Sequence, residues 1–219
     1  MKRWVMIELD VNQREQNIKA IIKLETRISK CTRCPALLRC TSKPATGKGD
    51  LVPEAVIVFE CEGKRTNDID WIVDVRNAIQ KYLQVDAVYH TFMVRCQLKA
   101  CPLADAIPCQ VHNSLLDVHN ICRVSNKSCT GIPIRPADDE VLNCLTYLIE
   151  ELMIFKPEYV ILFGRRVSDF VLKAYGMLDT IQDRLVYHHE GTTFLSVLDE
   201  QSYRPEIFAA LAALVDTDS

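Results

Sequence analysis

Two rhythms of apolar and polar positions run along this chain. Helical spacing, with apolar residues recurring every three or four positions, predicts a helix over 14–30, where Ile18, Ile21, Ile22, Glu25 and Ile28 fall in step. Trp71, Val75, Ile79 and Leu83 mark one face of a second helix, and Val141, Leu145, Leu148, Ile149 and Leu152 form the stripe of a third over 139–155. A fourth carries Val167, Phe170 and Val171, and a last helix starts near Pro205, a residue suited to a first helical turn, and runs through Leu214. Between them lie short apolar runs of the buried-strand type at 55–59, 88–94, 159–163 and 193–198.

Strands that alternate with helices predict an α/β fold: a three-layer α/β/α sandwich around a central, mainly parallel sheet covered on both faces. Ligands of such sheets sit beyond the carboxyl ends of the strands. Here those ends are 60–63, 95–96, 164–166 and the residues after Leu198. Two stretches break the rhythm. Residues 31–50 are loop-like, with Pro35, Pro44, Gly47 and Gly49, and residues 97–137 hold turn formers, four cysteines and two histidines with little periodicity. The expected organisation is one domain over 1–219 with a Cys-rich insertion at about 97–137.

Composition changes the picture mainly through sulfur. With 48% hydrophobic and 25% charged residues in 219, the chain has ordinary globular proportions. Nothing approaches the apolar length of a membrane span, and Glu8 and Asp10 interrupt the N-terminus before a signal core forms. A soluble protein of the cytoplasm, a reducing compartment, is expected. Ten cysteines are many for such a protein, and clustered thiols there favour metal ligation over disulfides. Charge is uneven as well. Residues 14–48 hold nine Lys or Arg against two acids, a local +7 that leaves −10 for the rest of a chain at −3. A basic N-terminal face on an acidic body can follow a phosphate backbone; a solvated helix face accounts for the charge equally well.

Cys31 and Cys34 form a Cys-x-x-Cys pair, which suits one metal ion, one cluster or redox chemistry. Cys96 follows a predicted strand and Cys144 lies on the polar side of the 139–155 helix; either can complete the set or be an inert core cysteine. Cys101, Cys109, Cys122 and Cys129, with His112 and His119 between them, are a second candidate set, for zinc. Their spacing fits no standard zinc motif, and the plainer reading is a loop whose cysteines pack as small hydrophobes. Cys40 and Cys61 have no obvious partner in the sequence.

Read in order, these segments resemble the family 4 uracil-DNA glycosylases, the iron–sulfur class. Cys31 to Pro35 followed by Gly47-Lys-Gly49 looks like that family's opening Cys-x-x-Cys-Pro segment and its glycine-bearing strand. The segment from Pro53 to Gly63 stands where the family has Pro-x-Ala…Gly-Glu-Ala-Pro-Gly, and Tyr89-His-Thr-Phe-Met-Val-Arg-Cys96 is similar to Tyr-x-Thr-Asn-Val-Val-Lys-Cys. Arg135-Pro136 through Cys144 and on to Gly164-Arg165 resembles the family's helix and Gly-ending strand. The similarity covers about residues 20–175.

The resemblance implies a uracil-DNA glycosylase-like fold, DNA as partner, and a 4Fe–4S cluster on Cys31, Cys34, Cys96 and Cys144, with Cys101 competing for the fourth place. It implies base flipping and hydrolysis of an N-glycosidic bond. Glu60 would place water or stabilise a cationic sugar, or be a plain acid at a strand end. Trp71 falls near the stacking aromatic, or is the first core residue of its helix; Phe92 stands at the base-reading position, where an aromatic lacks the donor–acceptor pair of the family's Asn. The late His-Pro motif is missing. His188 and His189 lie nearby and read better as a loop or strand end. Two functions follow: a DNA glycosylase with a remodelled pocket, or a catalytically degenerate, DNA-binding subunit that joins other replication or repair proteins.

Overall fold

The computed structural model describes residues 2–34, 44–96, 99–100, 121, 126, 132–178 and 184–218. In chain order its elements are α1 (Lys2–Ser29), β1 (Lys48–Gly49), β2 (Ala55–Cys61), α2 (Ile69–Leu83), β3 (Val88–Val94), β4 (Lys99–Ala100) and β5 (Ile132–Pro133). They continue with α3 (Asp138–Phe155), β6 (Tyr159–Phe163), α4 (Arg165–Ala174), β7 (Val186–His189), β8 (Thr192–Val197) and α5 (Ile207–Asp218). Six strands form one mixed sheet in the order β1-β3-β2-β6-β8-β7. The inner four are mutually parallel, and β1 and β7 close the edges antiparallel. The fold class is therefore α/β, with a sheet parallel in its centre and mixed at its borders.

The two-residue period of a strand sends alternate side chains to opposite faces. Along β2, Val56 and Val58 join one buried cluster, while Ala55, Ile57 and Phe59 join another. The first cluster takes Leu24 and Ile28 from α1, Val141, Leu148 and Leu152 from α3, and Val167 and Val171 from α4. The second takes Ile72, Val75 and Ile79 from α2 and Phe208 and Leu211 from α5. The same period divides β3. Tyr89 and Thr91 reach α3, where both donate to Glu151, while His90 and Phe92 contact Phe59 on the other face.

Local chemistry fixes the ends of several elements. Asp68 caps α2, its side chain accepting from the Trp71 N–H. At α3 the Glu140 side chain accepts from the Ala137 N–H, and three acids in the first turn suit the positive end of the helix dipole. Gly47 and Gly49 are required where β1 meets β3. A Cβ on Gly47 would stand 2.2 Å from the Tyr89 hydroxyl, and one on Gly49 would stand 2.4 Å from the Val88 carbonyl oxygen. β4 and β5 pair antiparallel, Lys99 opposite Pro133 and Ala100 opposite Ile132.

Among the described residues, no helix is long and apolar enough to cross a membrane. α1 starts at Lys2, well before the periodic stretch that predicts it.

Candidate functional site

Cys31 and Cys34 follow directly on α1, whose last turn still holds the Cys31 N–H on the Ile28 carbonyl at 3.0 Å. Cys96 comes just after β3, and Cys144 projects from α3. All four line one cavity, together with Arg95, Asn143 and Tyr147. Arg33, inside the Cys-x-x-Cys pair, ties that segment to α3. Its Nη1 donates to the Thr146 hydroxyl at 2.7 Å and to the Asn143 carbonyl at 3.1 Å, and its guanidinium lies over the Tyr147 ring at 4.7 Å.

Cys144 does not sit on the polar side of its helix. It is half-buried, and its sulfur accepts from the Arg95 backbone N–H at 3.3 Å. The reason lies in helical geometry: positions 144, 148 and 151 share one face, and Leu148 and Glu151 are buried.

Burial pushes the Cys144 thiol up; the Arg95 N–H and charge oppose this, and Cys31 and Cys34 add to the rise. Burial also raises the Cys34 thiol, against a hydrogen bond with Asn143. Four thiols on one cavity are a soft, all-sulfur donor set. Among the described residues, no three His, Cys, Asp or Glu side chains converge tightly enough to enclose one metal ion. Cys101, Cys109, Cys122 and Cys129 lie outside the described residues, as do Cys40, His112 and His119.

Arg95 continues the alternation of Tyr89 and Thr91, and so faces α3. Its Nη2 donates to Glu151 Oε2 at 2.5 Å, and both side chains are sealed, at 1% and 2% exposure. Glu151 also accepts from the Tyr89 hydroxyl at 2.9 Å and the Thr91 hydroxyl at 2.6 Å. Burial opposes the Arg95 charge, but the Glu151 carboxylate outweighs it and holds the guanidinium above its ordinary value. Burial and the Glu151 charge raise the Tyr89 phenol, so Tyr89 stays a neutral donor.

A second charged group gathers where the parallel strands end. Glu60, next to the last residue of β2, accepts from Arg135 Nε at 2.8 Å, Arg135 Nη2 at 2.9 Å and Arg166 Nη1 at 2.5 Å. Arg166, in the first turn of α4, also reaches the Pro136 carbonyl at 2.8 Å and Asp138. Burial works to raise the Glu60 carboxyl, and the two guanidinium groups more than offset it, leaving the group below its usual range. Burial raises the neighbouring Glu200 carboxyl, helped by Asp199 and Glu60.

Trp71 and Phe92 belong to one aromatic cluster beside these strand ends. The Phe59 ring lies 5.7 Å from Trp71, 6.2 Å from Phe92 and 4.8 Å from Phe163, and Tyr203 closes on Trp71 at 5.9 Å. Phe92 is only 3% exposed, so its ring is core; Trp71 is half-buried. His188 and His189 stand on β7, paired with Thr193 and Thr192 at the amino end of β8, the opposite end of the sheet from Glu60. Their reading as strand-end residues agrees with that place.

Sequence reasoning missed Arg95, Glu151, Arg135, Arg166 and Glu200 as site groups. Glu151 left a signal: it falls three positions after Leu148, on the buried face of a helix, where a lone acid requires a partner. The basic face of α1 exists in part: Lys19, Lys23 and Arg27 line a groove shared with Glu150 and Ile154 of α3, where Lys19 pairs with Glu15 and Arg27 with Glu150. No family model matches this chain, and no curated protein matches it.

Proposed function

We propose that this chain is a DNA-binding iron–sulfur protein with a uracil-DNA glycosylase-like three-layer sandwich, in which Cys31, Cys34, Cys96 and Cys144 hold a 4Fe–4S cluster. The single observation that carries this reading is that thiols 113 positions apart along the chain, from the end of α1, the end of β3 and the middle of α3, line one cavity. An all-thiolate set suits an iron–sulfur cluster, and a sealed cation on the same cavity suits the negative charge that four thiolates bring. When bound, such a cluster supplies a cross-link between elements and a one-electron centre. DNA as partner rests on the family resemblance and on the basic face of α1.

Glu60 favours the degenerate form of this reading over an active glycosylase. Its two oxygens accept three hydrogen bonds from Arg135 and Arg166 at 2.9 Å or less, so its lone pairs are engaged by cations. The base-reading position is a buried Phe92. The chain accordingly acts as a DNA-binding, complex-building subunit. Incubation with uracil-containing single- and double-stranded DNA tests this: salt-sensitive binding without abasic product is expected. Abasic product that disappears in Glu60→Gln would overturn the degenerate form and establish the glycosylase.

A further inference from the structure

We infer that Arg95 is the built-in counter-ion of the cysteine centre and sets its reduction potential, with Glu151 as its anchor. The inference rests on the iron–sulfur reading and goes beyond the ligand set to a residue that tunes it.

Arg95 has two addresses. Its backbone N–H donates to Cys144 Sγ at 3.3 Å, so the residue lines the cavity that the four cysteines share, and its side chain reaches Glu151. The guanidinium is sealed from water, yet only Nη2 is used, on Glu151. Nε and Nη1 are buried without a hydrogen-bond partner among the described residues. These two atoms carry three of the five N–H donors of an arginine. Buried donors of a charged group are rarely left unmet, and the cavity that Arg95 lines brings four thiols to it, beside Asn143 and Tyr147. A thiolate-bound centre would supply both the sulfur acceptors and the negative charge that these donors lack.

The anchor explains why the guanidinium stays in place. Glu151 is fixed by the Tyr89 and Thr91 hydroxyls, and Tyr89 is itself held against Gly47, where no side chain fits. Arg95 is therefore clamped at Nη2 and unpartnered at Nε and Nη1. Net charge, hydrogen bonds to sulfur and solvent exposure set the potential of an iron–sulfur centre. A fixed cation with free donors stabilises the reduced, more negative state, so it raises the potential. Partners of this second kind, which touch ligands and not metal, alter metal retention about 10- to 100-fold when removed.

The test uses the full chain, reconstituted with iron and sulfide, in wild type, Arg95→Lys and the paired variant Arg95→Gln with Glu151→Gln. The paired variant removes both charges together, so neither is left buried alone. Reduction potential is read by spectroelectrochemical titration, and iron release by a chelator. The paired variant is expected to titrate at a more negative potential and to release iron at least about tenfold faster. Arg95→Lys, which keeps the charge, is expected to restore most of the potential. Loaded variants that titrate and release iron like the wild type would overturn the role of Arg95 and leave the cluster standing. A wild-type chain that holds neither iron nor sulfide would overturn the cluster reading, and this inference with it.

Discussion

Glu151 and Glu60 are both carboxylates gripped by arginine, but they live in different media. Glu151 and Arg95 are sealed, at 2% and 1% exposure, in the core under α3. Glu60 is 19% exposed, and one of its partners, Arg135, is 65% exposed. A sealed pair has no water to fall back on, so removing either member strands the other. An open pair exchanges its partner for water and salt at little cost. The same chemical contact is thus a fixed part of the framework in one place and a displaceable surface feature in the other. The sealed pair keeps a fixed charge at the cavity that the four cysteines line. The open pair keeps Glu60 ionised and occupied at the strand ends.

The sharpest way to break this comparison is to remove one member of each pair separately. Glu151→Leu leaves Arg95 charged and unpaired in the core, and is expected to destabilise the fold by about 3–5 kcal/mol in chemical denaturation. An effect under about 1 kcal/mol would mean that the sealed pair behaves like a surface pair.

Acid distinguishes the regions next. His90, buried on the α2 face beside Arg76 Nη2 at 2.8 Å, is pushed down to about 4, by burial first and then by the charges of Arg76 and Lys48. It is neutral when folded and takes up a proton more readily when unfolded. The stability it contributes is full above pH 6.5, falls as pH drops from 6.5 towards 4, and is lost below that. The loss amounts to about 3 kcal/mol. Denaturant midpoints measured across this range should fall steeply, and His90→Gln should flatten the slope. A wild-type profile without that slope would contradict the burial of a neutral imidazole.

The smallest effect belongs to the open pair. Arg135→Gln, which removes the exposed partner of Glu60, is expected to change stability by no more than about 1 kcal/mol, and the difference should shrink at high salt. A larger, salt-independent loss would place Glu60 with Glu151 in the framework.

The sheet was legible because its inner strands are buried on both faces and read as continuous apolar runs. The runs at 55–59, 88–94, 159–163 and 193–198 correspond to β2 (Ala55–Cys61), β3 (Val88–Val94), β6 (Tyr159–Phe163) and β8 (Thr192–Val197). The edges were not legible. β7 is four residues with two of them outside the core, and β1 is two residues held by a glycine fit to Tyr89. No local rhythm marks either, so the two antiparallel borders of a sheet parallel in its centre were not foreseen. The first turns of α1 lack the apolar spacing that announces its later part.

The site divides the same way. The Cys31–Cys34 pair was legible from its spacing, whereas Cys96 and Cys144 joined it only through the family resemblance. The charge partners were not legible. Arg135 and Arg166 lie 75 and 106 positions from Glu60, and Arg95 lies 56 from Glu151. Only the folded sheet brings those pairs together.

The central claim is that four thiols hold one iron–sulfur centre. Its most direct measurement is iron and acid-labile sulfide per chain after anaerobic purification, in wild type and in Cys31→Ser, Cys34→Ser, Cys96→Ser and Cys144→Ser. The account predicts about four of each in the wild type, with marked loss in every one of the four variants. Zinc in place of iron, or full iron retention after loss of Cys96 or Cys144, would contradict it.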